Sequence, residues 1–206
     1  EYVFMEGLNQ LLQLDKEWVK KGKGNSLYIR PFMIATGTGV IANPSDDYKF
    51  MIILSPAKSY YSGEVKVIIA EHYSRAANGG IGAAKAAGNY AAQFYPTNLA
   101  NKEGFQQVIW TDDATHTKLE EAGTMNVFFR INDTLYTAPT SERILDGVTR
   151  KTLIDLAKRE GIQVEVRSVL VDELVEAAKN GSLKEIFGAG TAAVISPIAG
   201  FSYKDH

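Results

Sequence analysis

The sequence predicts a mixed α and β fold (α/β mixed, of α+β type), and three observations carry that prediction. Short runs such as QVIWTD and MNVFFRI are rich in β-branched and aromatic residues, the mark of strands. Longer segments, TRKTLIDLAKREG and VDELVEAAKNG, repeat their apolar residues at helical spacing and end in glycine. The composition is globular, with 206 residues of which 45% are hydrophobic and 22% charged, and no internal repeat is visible. That length suits one large domain, or one domain with part of a second.

The elements follow in order. Glu1 opens directly onto a helical stripe of Val3, Phe4, Leu8, Leu11, Leu12 and Trp18. With no initiator Met and an apolar stripe in need of partners, the chain reads as incomplete, through truncation, processing or the choice of segment. KKGKGN breaks the helix, and SLYIRPFMIATG follows as a β-rich run. GTGVIANPSDDY, between Gly37 and Tyr48, concentrates Gly, Asn, Pro and Asp, so an interdomain linker is placed at 41–48, after a first part at 1–40 and before a second at 49–206. Lys49–Leu54 and Glu64–Ala70 read as strands separated by the turn-prone SPAKSYYSG. A single helix is expected from Ala86 to Asn101; QVIWTD, MNVFFRI and TLYTAP read as strands, and VEVRSVL and Glu185–Ile195 as extended.

Composition excludes several function classes. Lys+Arg 22 against Asp+Glu 24 leaves a formal charge of -2, so there is no basic excess to meet a nucleic acid or an anionic membrane. Without cysteine there is no disulfide, thiol nucleophile or thiolate metal site, and three scattered histidines suit few metal centres, so no metal is expected. No apolar run approaches the roughly 20 residues that span a bilayer, and EYVFMEGLNQ lacks the features of a signal peptide. The chain reads as soluble and intracellular.

Four segments stand out chemically. In NGGIGAAKAAGNYAA a single lysine, Lys85, lies among small residues, where a confined amine can form a Schiff base with an aldehyde cofactor; a packed turn with a solvated lysine is the plainer reading. Tyr90 lies five residues on, and Arg75, close to this loop, either supports the site or packs beneath it. In LEEAGTMNVFF, Glu120 and Glu121 point to opposite faces of an extended segment, so one can face a pocket and pair with a protonated ring nitrogen while the other meets solvent. LDGVTRKTL places Gly147, Val148 and Thr149 at a helix start where free N–H groups and a capping hydroxyl suit an anion, and Gly190-Thr191-Ala192 offers a similar turn. In SLYIRPF, Tyr28, Arg30 and Phe32 share one face, which suits a carboxylate with an apolar chain or a surface salt bridge. TDDATHTK, with Asp112, Asp113 and His116, reads as a polar loop between strands, and His72 as a strand-end histidine.

Taken in this order, YIRPF, the lysine in AAKAAGNY, EAGTMN, GVTR and GTAA make the chain resemble a branched-chain amino acid aminotransferase, almost from end to end. That resemblance implies a fold type IV large domain with mixed, barrel-like sheets and surrounding helices, preceded by the end of a small α/β domain. It implies pyridoxal 5'-phosphate as cofactor and transamination of Leu, Ile and Val with 2-oxoglutarate. It makes Lys85 the Schiff-base lysine, Tyr90 the partner of the phenolate oxygen and Glu121 that of the pyridine nitrogen. Val148, Thr149 and Thr191 then bind the phosphate, Arg75 joins the cofactor-binding residues, and Tyr28, Arg30, Thr124 and Ala192 border the substrate. It further implies a cytoplasmic homodimer with small amino acid and 2-keto acid partners. Members of that family are longer at both ends. D-amino acid aminotransferases and aminodeoxychorismate lyases share its fold and lysine, and an inactive cofactor-binding fragment is the reading from another class.

Overall fold

In the computed structural model, which describes residues 1–58 and 63–204, the chain divides into two units, 1–60 and 61–206. The first begins with α1 (Tyr2–Asp15), which tightens into a 3-10 turn at Lys16–Trp18. Glycines with positive φ at 22 and 24 then turn the chain into β1 (Ser26–Ala35). β1 pairs antiparallel with β2 (Tyr48–Ala57), Ser26 opposite Ala57 and Ala35 opposite Tyr48. Phe4 of α1 meets Phe50 of β2 with ring centroids 5.9 Å apart.

This hairpin corrects the expected domain boundary. Residues 41–48 connect two paired strands and do not link domains, and Lys49–Leu54 belongs to the first unit. Ser45 organises the connection: its hydroxyl accepts the N–H groups of Gly37 at 3.0 Å and Asp47 at 3.2 Å and donates to the Asp47 carbonyl at 2.7 Å. Turn-forming residues mark a hairpin loop as readily as a linker, so composition alone misplaces the division. Of the turn expected at SPAKSYYSG, the first three residues extend β2, and 59–62 lie outside the described residues.

The second unit is built on a nine-stranded mixed sheet. Its strands are β3 (Val65–Ile69), β4 (Gln107–Thr111), β5 (Lys118–Ala122), β6 (Asn126–Ile131), β7 (Thr134–Thr137), β8 (Gln163–Val166), β9 (Val169–Leu170), β10 (Leu183–Gly190) and β11 (Val194–Ser202). They lie in the order β8-β7-β6-β10-β11-β3-β4-β5-β9. The β11–β3, β3–β4 and β7–β8 pairs are parallel and the others antiparallel. β5 and β6 are far apart in that order, yet a two-residue turn joins them, closed by a bridge between Ala122 and Met125. The sheet therefore curls back on itself, as the barrel-like expectation required.

Alternation along each strand assigns its two faces. Val67 and Ile69 of β3, Ile109 of β4, Leu119 of β5 and Val127, Phe129 and Ile131 of β6 fill the main core, into which α5 (Val171–Lys179) sends Val171, Leu174 and Ala177. Phe128 and Leu135 turn the other way onto Ile154 and Ala157 of α4 (Val148–Arg159). Val108 and Trp110 likewise cover Ala100 of α3 (Phe94–Lys102).

The helix expected from Ala86 to Asn101 is two helices, α2 (Ala87–Ala91) and α3. Pro96 supplies the reason. It has no N–H to donate back to Ala92 and is tolerated only in the first turn of a new helix. The extended segment expected from Glu185 to Ile195 is likewise β10, a turn at 191–193 and the start of β11.

Phe129, fully buried in the main core, tests the packing. Phe129→Ala should lower unfolding stability by about 3 to 5 kcal/mol, read from the urea midpoint at unchanged slope.

Candidate active site

β5 carries both acids on a strand covered on both faces. Glu120 and Glu121 are each only 5% exposed. The expectation that one of them faces solvent is therefore wrong. Alternation does send them to opposite sides, but each side meets a guanidinium.

Glu121 forms an ion pair with Arg75. Its other oxygen accepts the Asn126 side-chain amide at 3.1 Å and the Leu145 N–H at 3.3 Å. Burial pushes its carboxyl up to about 7 against the pull of Arg75 and the Leu145 N–H; the Lys85 charge is also felt there. Glu120 receives the Arg143 Nε–H at 2.5 Å. Burial also raises its carboxyl, with Arg143 opposing.

Lys85 sits in the loop between β3 and α2, and it is exposed, not confined as the small neighbours suggested. Small side chains keep the loop low but leave the amine open to water. Its Nζ lies 5.4 Å from the centre of the half-buried Tyr90 ring on α2. The loop itself is held from below. Asn89, buried on α2, donates to the carbonyls of Ile81 at 2.6 Å and Ala84 at 2.8 Å. Arg75 donates to the Gly82 carbonyl at 3.1 Å and also to the Arg143 carbonyl.

Asn126, the first residue of β6, joins the rest. Besides Glu121 it holds the Leu145 carbonyl at 2.9 Å. A Cβ at Gly147 would collide with its Oδ1, so glycine lets the start of α4 settle there without displacing the amide. Gly147 is the N-cap of α4 and makes no side-chain cap bond, so the expected capping hydroxyl does not cap. The Val148 and Thr149 amides, first in α4, are left with no intrahelical acceptor. On the other side Asn126 is paired with Ala189 of β10. The turn that follows, 191–193, carries the exposed Thr191 and the half-buried Ala192. A Cβ on Gly190 would lie 3.4 Å from the carbonyl of Thr124, the exposed turn residue between β5 and β6.

The structure thus brings Glu121, Arg75, Thr124, Val148, Thr149 and the 190–192 turn around one asparagine, with the Lys85 charge acting on Glu121. Tyr28 and Arg30 lie in the first unit, where Arg30 donates to the Tyr28 hydroxyl at 3.0 Å and stacks on its ring at 4.9 Å. Sequence reading missed Asn126, Asn89 and Arg143 as organisers. Asn126 had a signal, as the polar residue opening the apolar run NVFFRI. The TDDATHTK loop is folded by Asp112, whose carboxylate accepts the N–H groups of Thr115, Thr117 and Lys118 and the Thr115 hydroxyl. Burial acts to raise that carboxyl, but these bonds win and bring it down to about 2.

Residues 4–201 match the family model described as Amino-transferase class IV. A probable branched-chain-amino-acid aminotransferase of Staphylococcus aureus (strain MRSA252) is 48% identical over 205 residues, which cover 98% of this chain and 57% of that protein. Branched-chain-amino-acid aminotransferase 2 of Bacillus subtilis (strain 168) is 45% identical, over 98% of this chain and 56% of its own length. The chain thus spans a little over half the length of these relatives. Among solved structures, the Escherichia coli branched-chain amino acid aminotransferase superposes with a TM-score of 0.72 at 28% identity, covering 85% of this chain and 58% of that one. An aminotransferase from Brucella abortus bound to the cofactor PLP shares the fold, with a TM-score of 0.77 at 21% identity over 97% of this chain and 68% of its own.

The raised carboxyl of Glu121 fixes the sign of a pH effect. The folded state binds a proton that the unfolded chain, near 4.5, releases first. Stability from this group is full below pH 4.5 and is lost as pH rises through about 7, by up to roughly 3 kcal/mol. Urea midpoints measured from pH 4.5 to 8 should therefore fall across that window in the wild type and flatten in Glu121→Gln. A wild-type midpoint that rises with pH there, with Glu121→Gln making no difference, contradicts the assignment.

Proposed function

The chain belongs to the class IV aminotransferase family, and from that premise we propose that it carries the pyridoxal 5'-phosphate site of a branched-chain amino acid aminotransferase. The observation that carries this is one cluster: an accessible amine at Lys85, a buried carboxyl at Glu121 that feels its charge, and an uncapped helix start beside the same asparagine. The donor set fits the cofactor. An exposed lysine reaches an aldehyde, a carboxyl held near neutrality shares a proton with a pyridine nitrogen, and free amides receive a phosphate dianion.

When bound, the cofactor supplies an aldehyde carbon for an amine and a ring that draws electrons from the substrate Cα. Lys85 would hold that aldehyde carbon and serve as the base that moves a proton at the substrate Cα. Glu121 keeps the ring nitrogen protonated, and Arg75 and Asn126 keep Glu121 fixed. The Tyr90 hydroxyl bonds the phenolate oxygen. The Val148 and Thr149 amides and Thr191 receive the phosphate. Within the second unit, Thr124 and Ala192 would border the substrate. The names of the relatives favour Leu, Ile and Val over D-amino acids or aminodeoxychorismate. A cytoplasmic homodimer completes this reading and rests on the family resemblance.

Added pyridoxal 5'-phosphate should give a visible absorption band, and borohydride should then fix the phosphopyridoxyl group on Lys85. Peptide mapping that finds it on Lys102 or Lys118 overturns the assignment. Thr149→Ala and Thr191→Ala should each raise the cofactor dissociation constant about tenfold, the scale of one charge-assisted hydrogen bond. Unchanged affinity in both removes the phosphate assignment. Turnover of leucine with 2-oxoglutarate, in the longest natural form of the protein, tests the activity itself.

A further inference from the structure

The loop that presents Lys85 is gripped by a segment with no part in the chemistry proposed above. Glu142 and Arg143 form the turn just before the irregular residues 145–147 that lead into α4, and both reach back across more than sixty positions of sequence. The Glu142 carboxylate accepts the Gly79 N–H at 2.7 Å, and its carbonyl accepts the Ala83 N–H at 2.8 Å. The Arg143 guanidinium is forked. Its Nε–H goes to Glu120 at 2.5 Å while Nη1 donates to the Asn78 side-chain carbonyl and lies 3.7 Å from Asp113. The Arg143 carbonyl accepts Arg75, the partner of Glu121. Backbone packs on backbone as well: a Cβ on Gly82 would stand 2.7 Å from Arg143 Cα and 2.8 Å from its oxygen.

We propose that Arg143, anchored by buried Glu120, is a positioning residue that fixes the 76–86 loop, and with it the Lys85 amine, relative to Glu121. The inference rests on the reading of Lys85 as the Schiff-base lysine. Consecutive acids on β5 take one arginine each. Those arginines meet at the Arg143 carbonyl, and both hold the loop, Arg75 at Gly82 and Arg143 at Asn78. The loop's grip and the placing of Glu121 are therefore one rigid assembly. Lys85 has no carboxylate partner of its own among the described residues, so the loop, with the Tyr90 ring beside it, decides where its amine stands.

Charge and geometry separate this from a stabilising ion pair. Lysine at 143 keeps a cation for Glu120, but a point charge does not form the two-pronged contact with Glu120 and Asn78. Three variants test the proposal: Arg143→Lys, Arg143→Met and Asn78→Ala, the last an exposed loop residue whose change leaves the core untouched. Three measurements apply to each: the urea midpoint, amide hydrogen exchange at Gly79 and Ala83, and the rate of competitive acylation of Lys85 relative to Lys102 and Lys118 at a single pH. Arg143→Lys and Asn78→Ala should keep midpoints near wild type, yet lose about tenfold protection at both amides. The acylation rate of Lys85 relative to the two reference lysines should change from its wild-type value in the same variants. Unchanged exchange and an unchanged relative acylation rate at Lys85 in all three variants overturn the proposal, as does restoration of both by Arg143→Lys, which would leave only a role in charge balance. Borohydride mapping of the wild type separates the two readings. If Lys85 is not labelled, the cofactor reading fails and takes this role with it. If Lys85 is labelled and the variants behave as wild type, only the positioning role fails.

Discussion

Two consecutive carboxylates buried on a single short strand are the constraint on which the rest of the second unit depends. An ionised carboxylate there without a counter-charge is strongly disfavoured, and removing the partner of such a buried charge costs about 3 to 5 kcal/mol. Because alternation sends them to opposite faces, the chain must bring one guanidinium to each side of β5. Arg75 comes from the connection after β3 and Arg143 from the connection after β7. These two irregular stretches, with no ladder of their own, are thereby tied to the sheet and to each other. A lysine loop and an anion-receptive helix start become fixed points because of it.

Asn126 extends the same logic to the third irregular stretch. A side-chain amide has two donors and an acceptor oxygen, and here its donors serve Glu121 and the Leu145 carbonyl. Its backbone stays in the sheet, paired with Ala189. One residue thus relates an acid, a helix start and the β10–β11 turn. The absence of a Cβ at Gly147 lets α4 approach it. Where a polar network is closed in this way, small shifts in one member displace all the others. That is the preorganisation a cofactor site requires.

Local pattern made much of this legible and long-range pairing hid the remainder. The strands and helices of the second unit follow from period and from glycine stops, and the curled sheet agrees with the family resemblance. The boundary between units did not follow, because Gly, Asn, Pro and Asp serve a hairpin loop and a linker alike. Pro96 was a readable break in the 86–101 helix that apolar spacing masked. Alternation in KLEEA gives the divergence of Glu120 and Glu121 but not the burial of both, since nothing there reveals an arginine at 143 on the far face. Arg143 sits in SERIL without any local anomaly, and its role exists only through partners twenty-three and sixty-five positions away.

The contrast between an open amine and a closed acid fits what the proposed function asks of each. A carboxyl that holds a proton on a ring nitrogen acts by standing still. Burial serves it, since low dielectric strengthens its bonds to Arg75 and Asn126 and lifts its proton affinity into the neutral range. An amine that would hold an aldehyde carbon and move a proton needs freedom at its tip and certainty at its root. A side chain with four rotatable carbons on a rigid loop supplies both. Burying Lys85 would have removed the freedom, and placing it on an unheld glycine-rich loop would have removed the certainty. Exposure of Lys85 above a loop fastened through Asn89, Arg75 and Arg143 is therefore the arrangement its proposed chemistry demands, and the confinement expected from its small neighbours belongs to the loop rather than to the amine.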